Sequence, residues 1–277
     1  MKVRVSYSKL GKIRFTGHRD VARIWERTLR KAEVPVAMST GFTPRLKMAF
    51  GLALPTGAES LVELLDVTLA DAVDDLESLV RRLDESLPVG MAVTGIRECG
   101  PSEVSLQEDV VATTWVMAID AADVSGNIDR LNAACEVWVD RERKGESRRD
   151  DIRSGILGLR TISTETSELL PPLWLGESSG VLIEATLTTA GRGIRPTELV
   201  EALVPGCEPW NHLTRVLRIN QMIERRRARG RAVGSPSAHR GVRMRKEHCH
   251  VRDSGTPGSS RFARRWRYVD VARSHHN

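Results

Sequence analysis

Two apolar periods alternate along residues 2–223, and their order restricts the fold. Val3, Val5 and Tyr7 repeat every second residue, which predicts a strand, whereas Val21 and Trp25 belong to a helical stripe. The same reasoning predicts strands at 2–8, 36–39, 47–54, 61–69, 91–98, 113–120, 136–143, 152–162 and 181–189, and helices at 18–33, 72–87, 123–135 and 196–204. Residues 212–223 fit a strand or a helix, and we favour a strand because it completes a second cycle.

The order of these elements predicts the fold class. A strand, a helix, two or three strands, a second helix and a closing strand are typical of a split βαβ unit, and the pattern starts again after residue 110. We therefore predict an α+β chain of two tandem ferredoxin-like sandwiches, at residues 1–100 and 110–224. Residues 225–277 have almost no apolar period, which predicts a disordered basic tail.

The positive charge of the chain is concentrated at its two ends. Residues 225–277 contain 15 Lys and Arg against 3 Asp and Glu, while residues 1–224 contain 27 against 33 and are acidic as a whole. Within that acidic part, residues 1–50 contain 12 Lys and Arg against 3 acids. The cations near the beginning lie in a patterned segment, so we expect folding to gather them on one surface.

The first helix and the Gly- and Pro-rich segment 39–57 form the strongest candidate site. A helix start offers unpaired backbone N–H groups to an anion, and glycines let the backbone approach it closely. The expected phosphate ligands here are Arg14, His18, Arg19, Arg23, Arg45 and Lys47, with loop residues Gly17, Gly41, Pro44, Gly51 and Gly57 shaping the segment. The alternative is a simple hairpin beside solvated arginines, and this alternative is favoured for Arg27 and Arg30.

A second group of cations lies in the later half. Arg153 follows a charged run, and Arg192 and Arg195 precede a helix that starts at Pro196. We predict that these three arginines also bind phosphate, although hairpin solvation and helix capping would use the same positions.

Common catalytic and membrane signals are missing from the sequence. It has no Walker loop, no GxGxxG before a helix, no HExxH and no GxSxG, and the triplet His248-Cys249-His250 is a weak metal signal. We therefore expect no metal and no cofactor in this chain. We also expect a cytoplasmic protein that does not enter the membrane, because no apolar run is long enough for a span and Met1-Lys-Val-Arg begins no secretory signal.

Five motifs stand out along the chain: Phe15-Thr-Gly-His-Arg-Asp20, Ser39-Thr-Gly-Phe-Thr-Pro44, Phe50-Gly-Leu-Ala-Leu-Pro-Thr-Gly57, Asp151-Ile-Arg153 and Gly193-Ile-Arg-Pro-Thr-Glu198. Together they resemble the motifs of the radical SAM-linked proteins, a bacterial family of uncharacterised domains. Gly17 and Ser154 depart from the family pattern, in which Ser and Pro are more common. The resemblance implies a radical SAM partner that carries the iron–sulfur cluster and S-adenosylmethionine. This chain has no CxxxCxxC motif of its own.

Three functions follow as hypotheses. The leading one is a non-catalytic accessory subunit that binds tRNA or rRNA through its phosphates and presents it to the radical SAM enzyme for modification. The alternatives are a metal-independent endoribonuclease with His18 as general base, and a protein–protein scaffold that does not bind RNA. The oligomeric state stays open.

Overall fold

The computed structural model describes residues 1–100, 103, 105–143, 145–163, 170–171, 174, 180–206 and 208–223. These residues belong to one compact unit. The predicted disordered tail and the triplet at 248–250 lie outside the described residues, so those two predictions stay predictions.

Strands and helices alternate along the described chain, as the two apolar periods require. The strands are β1 (Lys2–Lys9), β2 (Met48–Phe50), β3 (Glu59–Thr68), β4 (Met91–Glu98), β5 (Val110–Ile119), β6 (Trp138–Arg143), β7 (Glu146–Asp151), β8 (Ile156–Thr161), β9 (Val181–Thr188) and β10 (Leu213–Ile223). The helices are α1 (His18–Lys31), α2 (Leu76–Asp84), α3 (Leu106–Asp109), α4 (Val124–Ala133), α5 (Pro196–Leu203) and α6 (Pro209–His212). Short 3-10 turns cover Gly11–Phe15 and Arg153–Gly155.

Eight strands form one large sheet. Its order is β4-β1-β3-β10-β5-β9-β8, with β2 also paired to β3, and β6 pairs with β7 in a separate hairpin. Neighbouring strands of the large sheet are antiparallel except β3 and β10, which pair in parallel around Ser60 and Arg218. The strands of the two halves of the chain follow the same spatial order in this sheet. The order is β4-β1-β3-β2 in the first half and β10-β5-β9-β8 in the second.

The sheet confirms the predicted mixed α+β class but does not confirm the finer prediction of two tandem ferredoxin-like sandwiches. Because β10 pairs with β3, the strands of both halves belong to one continuous, mostly antiparallel sheet. The tandem ferredoxin-like arrangement is therefore not confirmed as predicted. The proposed boundary between residues 100 and 110 falls just before β5, in a segment of which only part is described.

Each half packs its helices on the sheet through a separate apolar cluster. Trp25 and Leu29 of α1 and Leu79 and Leu83 of α2 are buried against β1 and β3. In the later half, α4 and α5 cover β5 and β9, and the cluster includes Trp115, Met117, Ile128, Leu199 and Val200. The buried residues of α1 and α2 belong to the apolar stripes that the sequence pattern predicted for these two helices.

The pairing of β3 with β10 brings charged side chains into the interior. Glu59 and Glu63 of β3 lie within 2.8 and 2.9 Å of Arg215 and Arg218 of β10, respectively. All four side chains are buried. Arg218 also lies over the Trp115 ring and donates to the Leu52 and Ala53 carbonyls. A buried charge needs such partners, since its desolvation is otherwise unfavourable.

The observed structure differs from the predicted elements at residues 146–151, where no strand was predicted, and at residues 36–39, where one was. Residues 146–151 form β7 although they contain no apolar residue, because the β6–β7 hairpin needs backbone pairing and not a buried face. Residues 36–39 make only single bridges, from Val36 to Leu69 and from Met38 to Leu46. Residues 213–223 form β10, which confirms the strand favoured for that segment.

Candidate functional site

Helix α1 carries a buried stripe and a cationic stripe on opposite sides. Val21, Trp25 and Leu29 are buried, and Gly17 precedes the helix without a side-chain cap. The cationic side contains Arg19, Ala22, Arg23, Glu26 and Arg30, which recur at helical spacing and so share one face. The apolar stripe fixes the rotation of α1, and the arginines must therefore face away from the sheet.

The loop that follows is held closed at its base. The Ser39 amide donates to the Arg45 carbonyl at 2.7 Å, and the Arg45 amide donates to Ser39 Oγ at 3.0 Å. Met38 and Leu46 form a bridge directly below this pair. Gly41, with φ of 137°, occupies a backbone conformation that other residues rarely adopt. The segment is therefore a closed hairpin that presents its tip at a defined place.

The cationic side of α1 and this hairpin enclose an open cleft of about 490 Å³, here called the arginine cleft. Its lining residues are Arg19, Ala22, Arg23, Glu26, Arg30, Pro44, Arg45 and Leu46. Four arginines against one glutamate give the lining a formal charge balance of +3. Such a concave surface favours a polyanionic ligand over a neutral one.

The arginines of the cleft are largely available for a ligand. Arg23 forms an exposed ion pair with Asp20, at 3.0 Å between Nη1 and Oδ1. Within the described residues, Arg19, Arg30 and Arg45 have no carboxylate within ion-pair distance. An exposed pair such as Arg23–Asp20 contributes little and gives way to a stronger anion.

His18 lies outside the arginine cleft. It lines a small neighbouring cavity with Tyr7, Lys9 and Glu63, and its ring packs edge-on against Phe50 at 5.3 Å between centroids. Burial lowers the pKa of Lys9, with the charge of Glu63 acting in the opposite direction, and burial raises the pKa of Tyr7. The cavity is too small for a nucleotide, and His18 is not among the residues that line the arginine cleft.

Lys9 connects this cavity to the start of α1. Its Nζ donates to the Arg14 and Thr16 carbonyls at 3.1 and 2.9 Å, and the Gly57 amide donates to the Arg14 carbonyl at 2.8 Å. The Arg14 guanidinium itself lies over the Phe15 ring. Arg14 and Lys47 are not among the residues that line the arginine cleft. Lys47 is exposed and lies between the hairpin and β2.

The remaining loop residues have different roles. Pro44 lines the cleft itself. The Gly51 amide donates to the Leu64 carbonyl at 2.9 Å, which ties the chain after β2 to β3. Gly57 has a positive φ and turns the chain into β3. Of the predicted loop residues, Gly41 and Pro44 therefore shape the cleft, while Gly51 and Gly57 position the segment that follows.

Of the three arginines predicted in the later half, Arg153 and Arg192 have side chains engaged within the fold, and Arg195 forms a hydrogen bond through its backbone amide. Arg153 donates to the carbonyls of Asn132, Ala134 and Ile156 at 3.0–3.2 Å. Arg192 forms an ion pair with Asp150. Arg195 precedes α5, where Glu198 Oε2 accepts from its backbone amide.

Acidic neighbours also neutralise the start of α5. Arg141 is buried and pairs with Glu198 and Asp150. Two carboxylates therefore lie where the sequence reasoning expected a phosphate. Within the described residues, the arginine cleft therefore presents three arginines without a carboxylate at ion-pair distance, whereas Arg141 and Arg192 beside α5 both pair with carboxylates.

A comparison with protein-family models shows which family the chain belongs to. Residues 2–196 match the family described as "Uncharacterized protein conserved in bacteria (DUF2344)". The chain belongs to this family. The description connects DUF2344 to no radical SAM enzyme, so the partner implied by the resemblance stays a hypothesis for this DUF2344 chain.

The other comparisons add little about this DUF2344 protein. No curated protein matches it. A chain from a solved structure titled "Crystal Structure of a Cbf5-Nop10-Gar1 Complex" is similar with a TM-score of 0.39 and 9% identity, covering 79% of this chain and 48% of that one. The DUF2344 chain thus spans about half the length of that solved chain, and a TM-score this low carries no argument about function.

Sequence reasoning did not include two residues at or beside the arginine cleft. Arg30 lines the cleft, whereas the sequence interpretation favoured a solvated face for it. Phe42 stands fully exposed at the tip of the hairpin. The spacing of Arg19, Arg23 and Arg30 was a readable signal for the first, because these residues share a helix face.

The described part of the chain contains neither a cluster of metal ligands nor a helix suited to crossing a membrane. No group of three or more His, Cys, Asp or Glu side chains in it is arranged to hold a metal ion. None of its helices combines the length and apolar character that a membrane crossing requires.

Proposed function

We propose that this chain binds RNA through phosphate contacts in the arginine cleft. The single observation that carries the proposal is the grouping of Arg19, Arg23, Arg30 and Arg45 around one open cleft of about 490 Å³. Guanidinium groups bind phosphate oxygens in a bidentate geometry, and binding of nucleic acid backbones depends mainly on such contacts. A scarcity of aromatic residues, 4% of the chain, also favours backbone contacts over extensive stacking.

The length of the cleft fits several phosphates. Arg19 and Arg30 are separated by 11 residues of α1, which corresponds to about 16 Å along the helix axis. A nucleic acid strand advances about 3.4 Å per phosphate along a duplex axis, so about five successive phosphates fit within that span. A small anion such as a single phosphate ion would use only part of the site.

The role of a non-catalytic accessory subunit rests on the resemblance described above. In this proposal a radical SAM enzyme carries the iron–sulfur cluster and S-adenosylmethionine and modifies tRNA or rRNA in the cytoplasm, while this chain holds the substrate. The repeated strand order of the two halves also supports the proposal that each half is a ferredoxin-like unit. Co-purification of the chain with a radical SAM enzyme and with RNA tests the partnership. A complex that contains the enzyme but no RNA would favour the scaffold alternative.

The cleft itself is tested by removing charge from its two walls. In the full chain, Arg30→Gln with Arg45→Gln removes one cation from α1 and one from the hairpin. The matched control is Arg27→Gln with Lys31→Gln, which removes two exposed cations from the same helix but outside the cleft. Each variant is titrated with a labelled tRNA transcript at 50 to 300 mM KCl.

The expected result follows from counterion release. Each lost phosphate contact lowers the slope of log K against log salt by about 0.7–0.9, so the cleft variant loses about 1.4–1.8 in slope and about 25- to 60-fold in affinity at 0.1 M salt. The control changes much less, because its cations lie outside the cleft. Equal losses in both variants would contradict a defined site. Cleavage of the transcript that disappears in His18→Ala would instead favour the endoribonuclease alternative.

A further inference from the structure

The tip of the hairpin carries an aromatic side chain with an unusual environment. Phe42 is fully exposed, and no ring or cation contact involves it in the described part of the chain. By contrast, Phe15 has the Arg14 guanidinium over its ring at 4.6 Å. Leaving a phenyl ring in water is unfavourable, so a site that exposes one completely has a surface that a ligand can cover.

The position of Phe42 is fixed relative to the arginine cleft. Pro44 and Arg45, which line the cleft, follow it within three residues of the same hairpin. The Ser39–Arg45 hydrogen bonds and the Met38–Leu46 bridge close that hairpin at its base. Three residues span at most about 11 Å, so an exposed ring face and a cluster of cations lie within the reach of one or two nucleotides.

We propose that Phe42 stacks on an unpaired base whose neighbouring phosphates lie in the arginine cleft. An occupant of this surface must combine negative charge with a flat π face, and an unstacked nucleotide does so. In a duplex the bases already stack on one another and their faces are closed, whereas loops and single strands leave them open. The RNA class selected by this site is therefore a single-stranded or loop segment. The inference rests on the proposed function, because it assigns a second contact to the same bound RNA.

Three RNA probes separate the base contact from the phosphate contacts. The full chain is titrated with a labelled 12-nucleotide single strand, with an abasic strand of the same length and with a 12-base-pair duplex. The abasic strand keeps the phosphates and lacks the bases. The variants are Phe42→Ala, Phe42→Leu and Phe42→Tyr, with Trp138→Ala as a control for an exposed aromatic residue outside the cleft. Because Phe42 is exposed, these substitutions leave the folded core unchanged.

We expect Phe42→Ala to weaken binding of the single strand by about 5- to 150-fold, the measured range for one stacked base. Phe42→Leu weakens it similarly, whereas Phe42→Tyr keeps a π face and binds like the unmodified chain. The abasic strand and the duplex change by less than about two-fold, and the Trp138 variant changes on none of the probes.

Two results would overturn the inference. One is unchanged single-strand affinity in Phe42→Ala, and the other is an equal loss on the single and abasic strands, which would mean that no base is stacked. The cleft variant with Arg30→Gln and Arg45→Gln is measured in parallel. If it binds all three probes normally, the proposed function fails; if it binds weakly while Phe42→Ala is silent, only the present inference fails.

Discussion

Glu103 and Asp109 both lie within 4 Å of Arg4, yet their pKa values are shifted in opposite directions. Glu103 accepts two hydrogen bonds from Arg97 at 2.8 Å, and these bonds lower its pKa to about 2. Asp109 is buried, and within the described residues its one ion-pair partner is Arg4, at 3.8 Å; burial therefore raises its pKa. Arg4 itself is buried and makes a bidentate pair with Asp66. Hydrogen bonding dominates at Glu103 and desolvation dominates at Asp109.

The shifted pKa of Glu103 predicts a contribution to acid stability. Because its pKa is lower in the folded state than the ordinary 4.5, Glu103 stabilises the fold above about pH 4.5, and this contribution is lost as the pH falls towards 2. We expect Glu103→Gln to lower the free energy of unfolding by about 1 kcal/mol at pH 7 and to leave it unchanged near pH 2. Urea unfolding at pH 2 to 7 measures this difference.

A matched variant checks the assignment to Glu103. Glu98→Gln removes an exposed carboxylate from the end of β4, next to Arg97. It should leave the acid-dependent loss of stability intact. If Glu98→Gln and Glu103→Gln have the same pH profile, the Arg97 pairing does not cause the effect.

At the scale of elements, Arg153 connects the end of α4 to the 3-10 turn Arg153–Gly155 and to the start of β8. Its guanidinium donates to the Asn132 and Ala134 carbonyls at the end of the helix and to the Ile156 carbonyl at the start of β8. A cation at a helix C-terminus satisfies carbonyls that have no partner within the helix and interacts favourably with the helix dipole. The contacts indicate a structural role for this arginine.

Arg153→Ala tests that role against the phosphate contact expected from the sequence. Loss of these charge-assisted hydrogen bonds should lower the free energy of unfolding by about 1.5–3 kcal/mol, with unchanged affinity for the tRNA transcript. The control is Arg149→Ala on β7, an exposed arginine whose removal should cost less than about 0.5 kcal/mol. A fall in RNA affinity as large as that of the Arg30 and Arg45 variant would show that the sequence interpretation was correct.

A helix or strand could be predicted from the sequence where its own residues determine its structure, and could not where pairing with another element does. Helix α1 was predictable from its apolar stripe, and its predicted end at 33 differs from the observed one by two residues. Strand β7 was not predictable, because pairing with β6 determines it and no apolar face does.

Arg19, Arg23 and Arg45 were predicted as one site and line one cleft. Arg30 was assigned to solvent, because sequence does not show which side of a helix a distant loop will approach.

At the scale of the molecule, the parallel pairing of β3 with β10 decides how the two halves behave. It places Glu59 and Glu63 next to Arg215 and Arg218, and Trp174 donates to Glu59 Oε2 at 2.7 Å. No pattern within either half predicts this pairing, because β3 supplies the carboxylates of both ion pairs and β10 supplies the guanidinium groups. Separation of β3 from β10 would break both buried ion pairs, which is unfavourable, so we infer that the halves unfold together.

Glu63→Ala provides the decisive measurement, because it removes one partner and leaves Arg218 charged in the interior. Breaking a buried pair in this way typically costs about 3–5 kcal/mol. If the sheet is one cooperative unit, hydrogen exchange should report the same decrease in opening free energy for the amides of β1 in the first half and of β9 in the second. A decrease confined to β1 would mean that the first half opens alone, and the shared sheet would then join two independently stable units.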